Sequence, residues 1–323
     1  MPVSRQTLER ALAEGHLLDE LPNSFDALGR RYSGKVRENF TRDGERLIIV
    51  SDRVSAFDRV LGTIPFKGQV LNRLAAYWFE VTADLFDNHM LGIPDAQAMR
   101  AVECEPIKVE MVVRGYLTGS SSTSIWKAYE RGDRQFCGHA LPDGLVCHQK
   151  LPHNIVTPTT KAEKGEHDQN ASKAELVASG VIDAELFDEL EQRCLRLFAY
   201  GQQLAAERGL ILVDTKYELG RRPDGRIVLI DEIHTPDSSR YWYADGYAAA
   251  MAAGESPRAL DKEYVRTWLV GQGFTGDGKP PKLPDEVRIE AALRYIETYE
   301  RMTGREFEPD LEPPVTRLAE KLL

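Results

Sequence analysis

The chain predicts an α+β protein with antiparallel sheets in two lobes, and three observations carry that expectation. Strand patterns crowd the first third of the sequence. A long amphipathic helix and a strand hairpin follow much later, with further helices in the tail. The regular strand–helix alternation of a parallel sheet is missing. A division at residue 112 follows, with a β-rich lobe over 1–112, an α+β lobe over 113–323, and a cleft between them suited to a ligand.

In chain order, Ser4–Glu14 reads as a short helix with leucines at 8 and 12. Tyr32–Phe40 and Leu47–Ser51 read as strands around the Asp43–Gly44 turn, a strong hairpin signal. Gly62–Phe66 suggests another strand, and Val70–Phe86 a helix, because Leu71, Leu74, Ala75 and Trp78 recur at helical spacing. Lys108–Leu117 is a β-branched run, and Ser124–Arg131 a short helix stopped by Gly132. Leu141–Pro158, with its prolines and a D-G pair, reads as loop. Ser172 and Glu175 have capping-box spacing. Asp183 opens a helix to Arg208 with the stripe Phe187, Leu190, Cys194, Leu197, Phe198, Gly201, Leu204, and Gly209 ends it. Strands Leu210–Leu219 and Arg226–Ile233 surround a P-D-G turn, and helices are expected near Lys262–Val270 and Asp285–Thr303.

With 323 residues, 42% of them hydrophobic, the chain can bury a core without disulfides or metals. A net charge of −10 argues against a general nucleic-acid binder. Four cysteines without C-x-x-C spacing suit reduced thiols in the cytoplasm. No apolar run is long enough for a membrane span, and the N-terminus lacks the features of a secretory signal. Cys137, His139, Cys147 and His148 are zinc-type ligands, but their spacing matches no familiar site, so they are expected to be structural.

Five segments could carry chemistry. In Ser33-Gly34-Lys35-Val36-Arg37 a glycine lets backbone approach a phosphate, and two cations alternate on one strand face. A Walker loop is absent. In Leu210–Gly220, alternation is expected to put Leu210, Leu212, Asp214, Lys216 and Glu218 on one face. The partner strand ends in Asp231 and Glu232, which should approach Lys216 and Glu218. Converging carboxylates repel, and Mg²⁺ with phosphate oxygens would relieve that; a lattice of surface ion pairs is the alternative. Thr235–Arg240 is a polar turn ending in an anion-binding fork. Val112–Ser124 supplies an arginine, two glycines and a run of hydroxyls, and Thr157–Asp168 a loop dense in both charges. Neither G-x-S-x-G nor H-E-x-x-H occurs, so metal and phosphate chemistry is expected instead of a nucleophilic triad.

In this order, SGKVRENF, SDRVSAFD, IPFKGQVLNRLAAYWF, VVRGYLTGSSSTSIWKAYERG, TPTTKAEKGEHD, LILVDTKYELG and LIDEIHTPDSSRYW resemble the SAICAR synthetase family. The resemblance implies two α+β lobes related to protein kinases and ATP-grasp enzymes, with ATP in the cleft. It implies a ligase that joins 4-carboxy-5-aminoimidazole ribonucleotide to L-aspartate using ATP and Mg²⁺, as a monomer or homo-oligomer.

Residue by residue, the resemblance places Gly34, Lys35, Val36 and Arg37 in the phosphate-covering loop and Lys161 near the nucleotide. It places Glu218 and Asp231 on the Mg²⁺-binding acids. Arg114, Ser120 and Arg240 fall where the ribonucleotide is held, with Asp214 and Lys216 nearby, and Lys35, Lys216 and Asp214 are the catalytic candidates. Asp52, Ser55 and Asp58 fall in a loop lining the acceptor side. Some members carry Lys where Arg37 stands.

Overall fold

The computed structural model describes residues 3–57, 59–160, 169–260, 262–276 and 278–323. Helix α1 (Arg5–Glu14) is opened by the Ser4 hydroxyl, which accepts from the Thr7 amide, and closed by Gly15. Strands β1 (Arg30–Ser33), β2 (Arg37–Arg42) and β3 (Glu45–Val50) follow. The β2–β3 turn puts both Asp43 (φ 52°) and Gly44 (φ 80°) in the left-handed region, as a tight hairpin with right-handed twist requires. The region read as one strand over Tyr32–Phe40 is thus two strands, with Gly34–Val36 at the turn between them.

A small hairpin, β4 (Arg53–Ala56) and β5 (Arg59–Thr63), leads into α2 (Lys67–Val81), which starts and ends earlier than its apolar spacing suggested. The start is set by a close approach. A Cβ at Gly68 would lie 2.3 Å from the Val50 carbonyl oxygen, so only glycine lets the helix begin against β3. Strands β6 (Met90–Asp95) and β7 (Ala98–Val102) complete a sheet ordered β1-β2-β3-β7-β6.

The second sheet is built from β8 (Glu105–Pro106), β9 (Val109–Tyr116), β12 (Lys150–Val156), β13 (Thr159–Thr160), β14 (Gln169–Asn170), β15 (Leu210–Arg221), β16 (Ile227–Ile230) and β17 (Ser239–Tyr243). Between β9 and β12 lie α3 (Ile125–Glu130) and the hairpin β10 (Gln135–Phe136) and β11 (His139–Ala140). The strand pairings in both sheets are antiparallel, as the sequence predicted. Residue 112 lies within β9.

Helix α4 (Lys173–Ala178) carries the expected capping box of Ser172 and Glu175. Helix α5 (Ala184–Glu207) buries Phe187, Leu190, Cys194, Leu197, Phe198 and Gly201 of the predicted stripe against β15, while Leu204 is only partly buried. Helices α6 (Tyr247–Ala253), α7 (Glu263–Gly271), α8 (Asp285–Thr303) and α9 (Pro314–Leu322) complete the chain.

Two features correct the sequence expectations. The supposed loop over Leu141–Pro158 contains β12, which pairs with β9. Its register slips between Lys150 and Ile155, around Pro152, so proline and polar residues hid an irregular strand. In addition, Leu210 and Leu212 do not share a face with Asp214, Lys216 and Glu218. The β15–β17 register shifts between Leu212 and Asp214. Leu212 packs on α5 at Gly201, and so does the odd-numbered Tyr217 through its partner His234. The bulge switches parity, turning the leucines to the core and the ionised residues to the opposite face.

Candidate active site

Strand β15 lies between β9 and β16 and pairs with β17 along its first half. Its polar face therefore meets side chains from each. Arg114 on β9 and Arg240 on β17 are both direct partners of Asp214 in register. Arg114 Nη1 lies 3.4 Å from Asp214 Oδ2, and Arg240 Nη1 donates to the same oxygen. Arg114 Nε also donates to Thr157 Oγ1 at 2.8 Å. Burial lowers the pKa of Arg114, and Asp214 opposes that.

Arg240 lines a cavity of about 1240 Å³ that reaches from Ser120 and its hydroxyl neighbours to Trp242, Glu263 and Arg266. Ser120 Oγ donates to Glu263 Oε1 at 2.9 Å, and Glu263 also faces Arg266 at 3.4 Å. Arg266 Nε is buried and has no acceptor among the described residues. Phe57, at the tip of the β4–β5 hairpin, lines the far side.

Two residues further along the face the charge reverses. Lys216 Nζ binds Glu110 Oε1 at 2.8 Å and Glu218 Oε1 at 2.5 Å. Glu218 pairs with Ile230 in register, which brings the next residue, Asp231, to the end of the same strand pair. Asp231 adopts φ 66°, unusual for a residue other than glycine, and so leaves β16 sharply. Arg37 from β2 reaches across with Nη1 2.9 Å from Asp231 Oδ1 and Nη2 2.6 Å from Glu232 Oε1. Burial pushes the Asp231 carboxyl up to about 6; Arg37 opposes this, and Glu218 and Glu232 add to it. Burial would depress Lys216 and Arg37, but their carboxylate neighbours outweigh it and hold both above their ordinary values.

The structure thus brings together Arg37, Lys216, Glu218 and Asp231 as one cluster, and Arg114, Ser120, Asp214 and Arg240 as a second. Gly34 and Lys35 form the turn before β2, pinned by Arg53, whose guanidinium donates to the Lys35 carbonyl at 2.8 Å and the Gly34 carbonyl at 3.2 Å. Val36 carbonyl accepts from Ser51. Ser55 is half-buried on β4.

Asp52 departs from its expected place on the acceptor side. It is buried and accepts the Leu18 amide at 2.7 Å and the Gly68 amide at 2.8 Å, so it anchors the start of α2. Asp58 and Lys161 lie outside the described residues. The Cys/His group is divided between two cavities. Cys147 and His148 line the large cavity, whereas Cys137 and His139 line a separate, mainly apolar one of about 600 Å³.

Lys67, Asp237, Lys262, Glu263 and Arg266 also belong to this region, and apart from Asp237 no local pattern in the sequence marked them. Lys67, fully buried, places Nζ 2.7 Å from Asp237 Oδ2. Only the T-P-D-S-S-R segment offered a signal, through Asp237.

The SAICAR synthetase family model matches residues 30–282. That match, on this fold and site, defines a carbon–nitrogen ligase. A putative phosphoribosylaminoimidazole-succinocarboxamide synthase 2 of Mesorhizobium japonicum is 48% identical over 87% of this chain and 90% of its own. The phosphoribosylaminoimidazole-succinocarboxamide synthase of Legionella pneumophila is 46% identical over 88% of this chain and 91% of its own. The SAICAR synthase of Saccharomyces cerevisiae, solved with SAICAR, superposes with a TM-score of 0.76 at 28% identity, covering 90% of this chain and all of that one. The chain belongs to the SAICAR synthetase family, the ligases of purine biosynthesis that condense 4-carboxy-5-aminoimidazole ribonucleotide with aspartate.

Proposed function

We propose that the condensation runs along the polar face of β15, with the ribonucleotide in the cationic cavity and the ATP phosphates over the acidic cluster. The observation that carries this is the order of charges on one strand. Asp214 sits among arginines, Lys216 follows, and Glu218 sits among acids. From 214 to 218 a strand spans about 13 Å, enough to line up two phosphorylated ligands end to end.

Among the six groups Glu110, Glu218, Asp231, Glu232, Lys216 and Arg37, carboxylates outnumber cations four to two. That donor set fits a divalent cation. Among the described residues no group of three His, Cys, Asp or Glu could hold a metal unaided. Mg²⁺ takes one or two carboxylates and completes its shell with phosphate and water oxygens. Glu218 and Asp231 would hold it, and the ion would neutralise charge building on the transferred phosphoryl group.

In the first step an oxygen of the substrate carboxylate attacks the γ-phosphorus. The bond to the β-bridging oxygen breaks, ADP leaves, and an acyl phosphate forms. In the second step the aspartate amine attacks the acyl carbon, phosphate departs with the C–O electrons, and the amine loses a proton. Lys216, held protonated by two carboxylates, stands between the subsites and would stabilise the carboxylate as it is activated. Arg114, Arg240 and Arg266 would grip the ribonucleotide, and the Gly34–Arg37 turn would cover the phosphates and limit hydrolysis of the acyl phosphate.

The family's small-molecule substrates suit this site, and no described helix is long and apolar enough to cross a membrane. The test is ADP release with the carboxylated ribonucleotide, with and without aspartate. Steady turnover that requires aspartate supports the proposal. Equal turnover without it would mark a kinase that stops at phosphoryl transfer.

A further inference from the structure

Helix α8 begins at Asp285, beyond residue 282 where the family match ends, yet one of its side chains reaches the site. Tyr295 is buried, and its hydroxyl donates to Asp237 Oδ1 at 2.6 Å. The other oxygen of Asp237 takes Lys67 Nζ at 2.7 Å, and its main-chain carbonyl takes Lys262 Nζ at 2.8 Å. Asp237 therefore ties α2, α7 and α8 to one loop.

That loop runs directly into Arg240 on β17, and Lys262 precedes Glu263, which orients Ser120 and Arg266. The same helix grips the segment leading to α7. Arg294 Nη1 donates to the Ala259 carbonyl at 2.6 Å, and Thr298 Oγ1 to the Leu260 carbonyl at 2.8 Å. Arg240 and Arg266, two cations of that wall, thus hang from elements fastened at Asp237.

We infer that Tyr295 is a positioning residue for the ribonucleotide subsite, acting through Asp237 on Arg240 and on the α7 start. The inference rests on the placement of the ribonucleotide given above. A carboxylate with a donor on each oxygen has one orientation. Without the tyrosine hydroxyl it can swing about its remaining Lys67 contact, and the loop moves with it. Displacements of this kind at a binding wall cost affinity without touching the ligand. The nucleotide side is fastened mainly through Arg53 and the β1–β2 turn, and meets this loop only indirectly, through Thr235, which accepts the Asp237 amide and donates to Glu232, so it should respond less.

The test is Tyr295→Phe, which keeps the ring over Lys67, 5.6 Å from its centroid, and removes only the hydroxyl. Thr303→Val, which deletes a buried hydroxyl at the end of α8 that donates to the Tyr299 carbonyl and accepts the Arg305 amide, is the comparison. For Tyr295→Phe the dissociation constant of the carboxylated ribonucleotide, measured by calorimetry, should rise about five- to tenfold, less than the roughly 10- to 100-fold cost of a lost direct bond to a charge because the hydroxyl acts through Asp237. The KM for ATP should stay within about twofold, and Thr303→Val should change neither. A lowered melting temperature with both affinities intact, or equal losses for ATP and ribonucleotide, would make the hydroxyl merely structural and overturn the inference. Wild-type chain that fails to bind the ribonucleotide would overturn the placement itself.

Discussion

Asp231 is held between a guanidinium and other carboxylates, and its chemistry follows from that setting. Burial, the largest influence, raises its pKa to about 6, and Arg37 is the chief opposing charge. A cation-binding acid must be ionised when it works, so replacing its charge should matter more than replacing its shape. Asp231→Asn and Glu218→Gln are each expected to remain folded and to lose at least about 100-fold in kcat, as measured by ADP release. Turnover near that of the wild type in both variants would remove the metal assignment. Arg240 acts elsewhere, on the cationic wall, where it shares Asp214 with Arg114. Arg240→Ala should raise the KM for the ribonucleotide about 10- to 100-fold, the usual cost of a charge-assisted bond, with the KM for ATP little changed. An unaltered ribonucleotide KM would show that the anion site lies elsewhere.

At the scale of elements, α5 and β15 form the support on which the polar face rests. Gly201 in the middle of α5 costs helix stability of about 1 kcal/mol relative to alanine. The structure shows why it is there. A Cβ at this position would lie 2.5 Å from His234 Cε1 and 2.9 Å from Leu212 Cδ2. His234 cannot easily yield, because its Nε2 is bonded to the Tyr217 hydroxyl at 2.5 Å and its ring packs edge-on against Trp78. Overpacking should therefore outweigh the gain in helix propensity. Gly201→Ala is expected to destabilise the protein by about 1–3 kcal/mol in urea unfolding. A stabilised variant would mean that the helix can shift away from β15. The α5 stripe was legible in the sequence because burial on one helix face imposes a 3.6-residue period. Strand β12 was not, because its pairing with β9 is interrupted at Pro152 and leaves no regular alternation.

Across the whole molecule, buried titratable groups link stability to pH. Burial pulls His234 down to about 3, so the unfolded chain binds more protons than the folded one from about 6.5 downward, and stability is lost as pH falls through that range. Asp52 works in the opposite sense. Burial raises it to about 6 despite the Leu18 and Gly68 amides, so the folded state binds more protons between about 6 and 3.8. The melting temperature should accordingly fall between about pH 7.5 and 6, with part of that loss offset as Asp52 protonates at lower pH. Scanning calorimetry across this range is the check, and a melting temperature that rises on acidification to pH 6 would contradict the assignment of a neutral buried His234.

The sequence by itself determined the antiparallel α+β class, the hairpin at Asp43–Gly44, the α5 stripe and the charged segments that the fold then gathers. These properties are local: a turn that demands positive φ, a periodic apolar face, or charged residues crowded into a short segment. Tertiary structure decided the rest. The bulge after Leu212 separates the leucines from the ionised face, and a one-residue slip in register is not visible in alternation alone. Asp52 was recruited to hold the α2 start, and Lys67, Lys262 and Tyr295 converge on Asp237 from three distant elements. Side chains far apart in sequence meet only after packing has fixed their elements, so partners of this kind are properties of the folded chain.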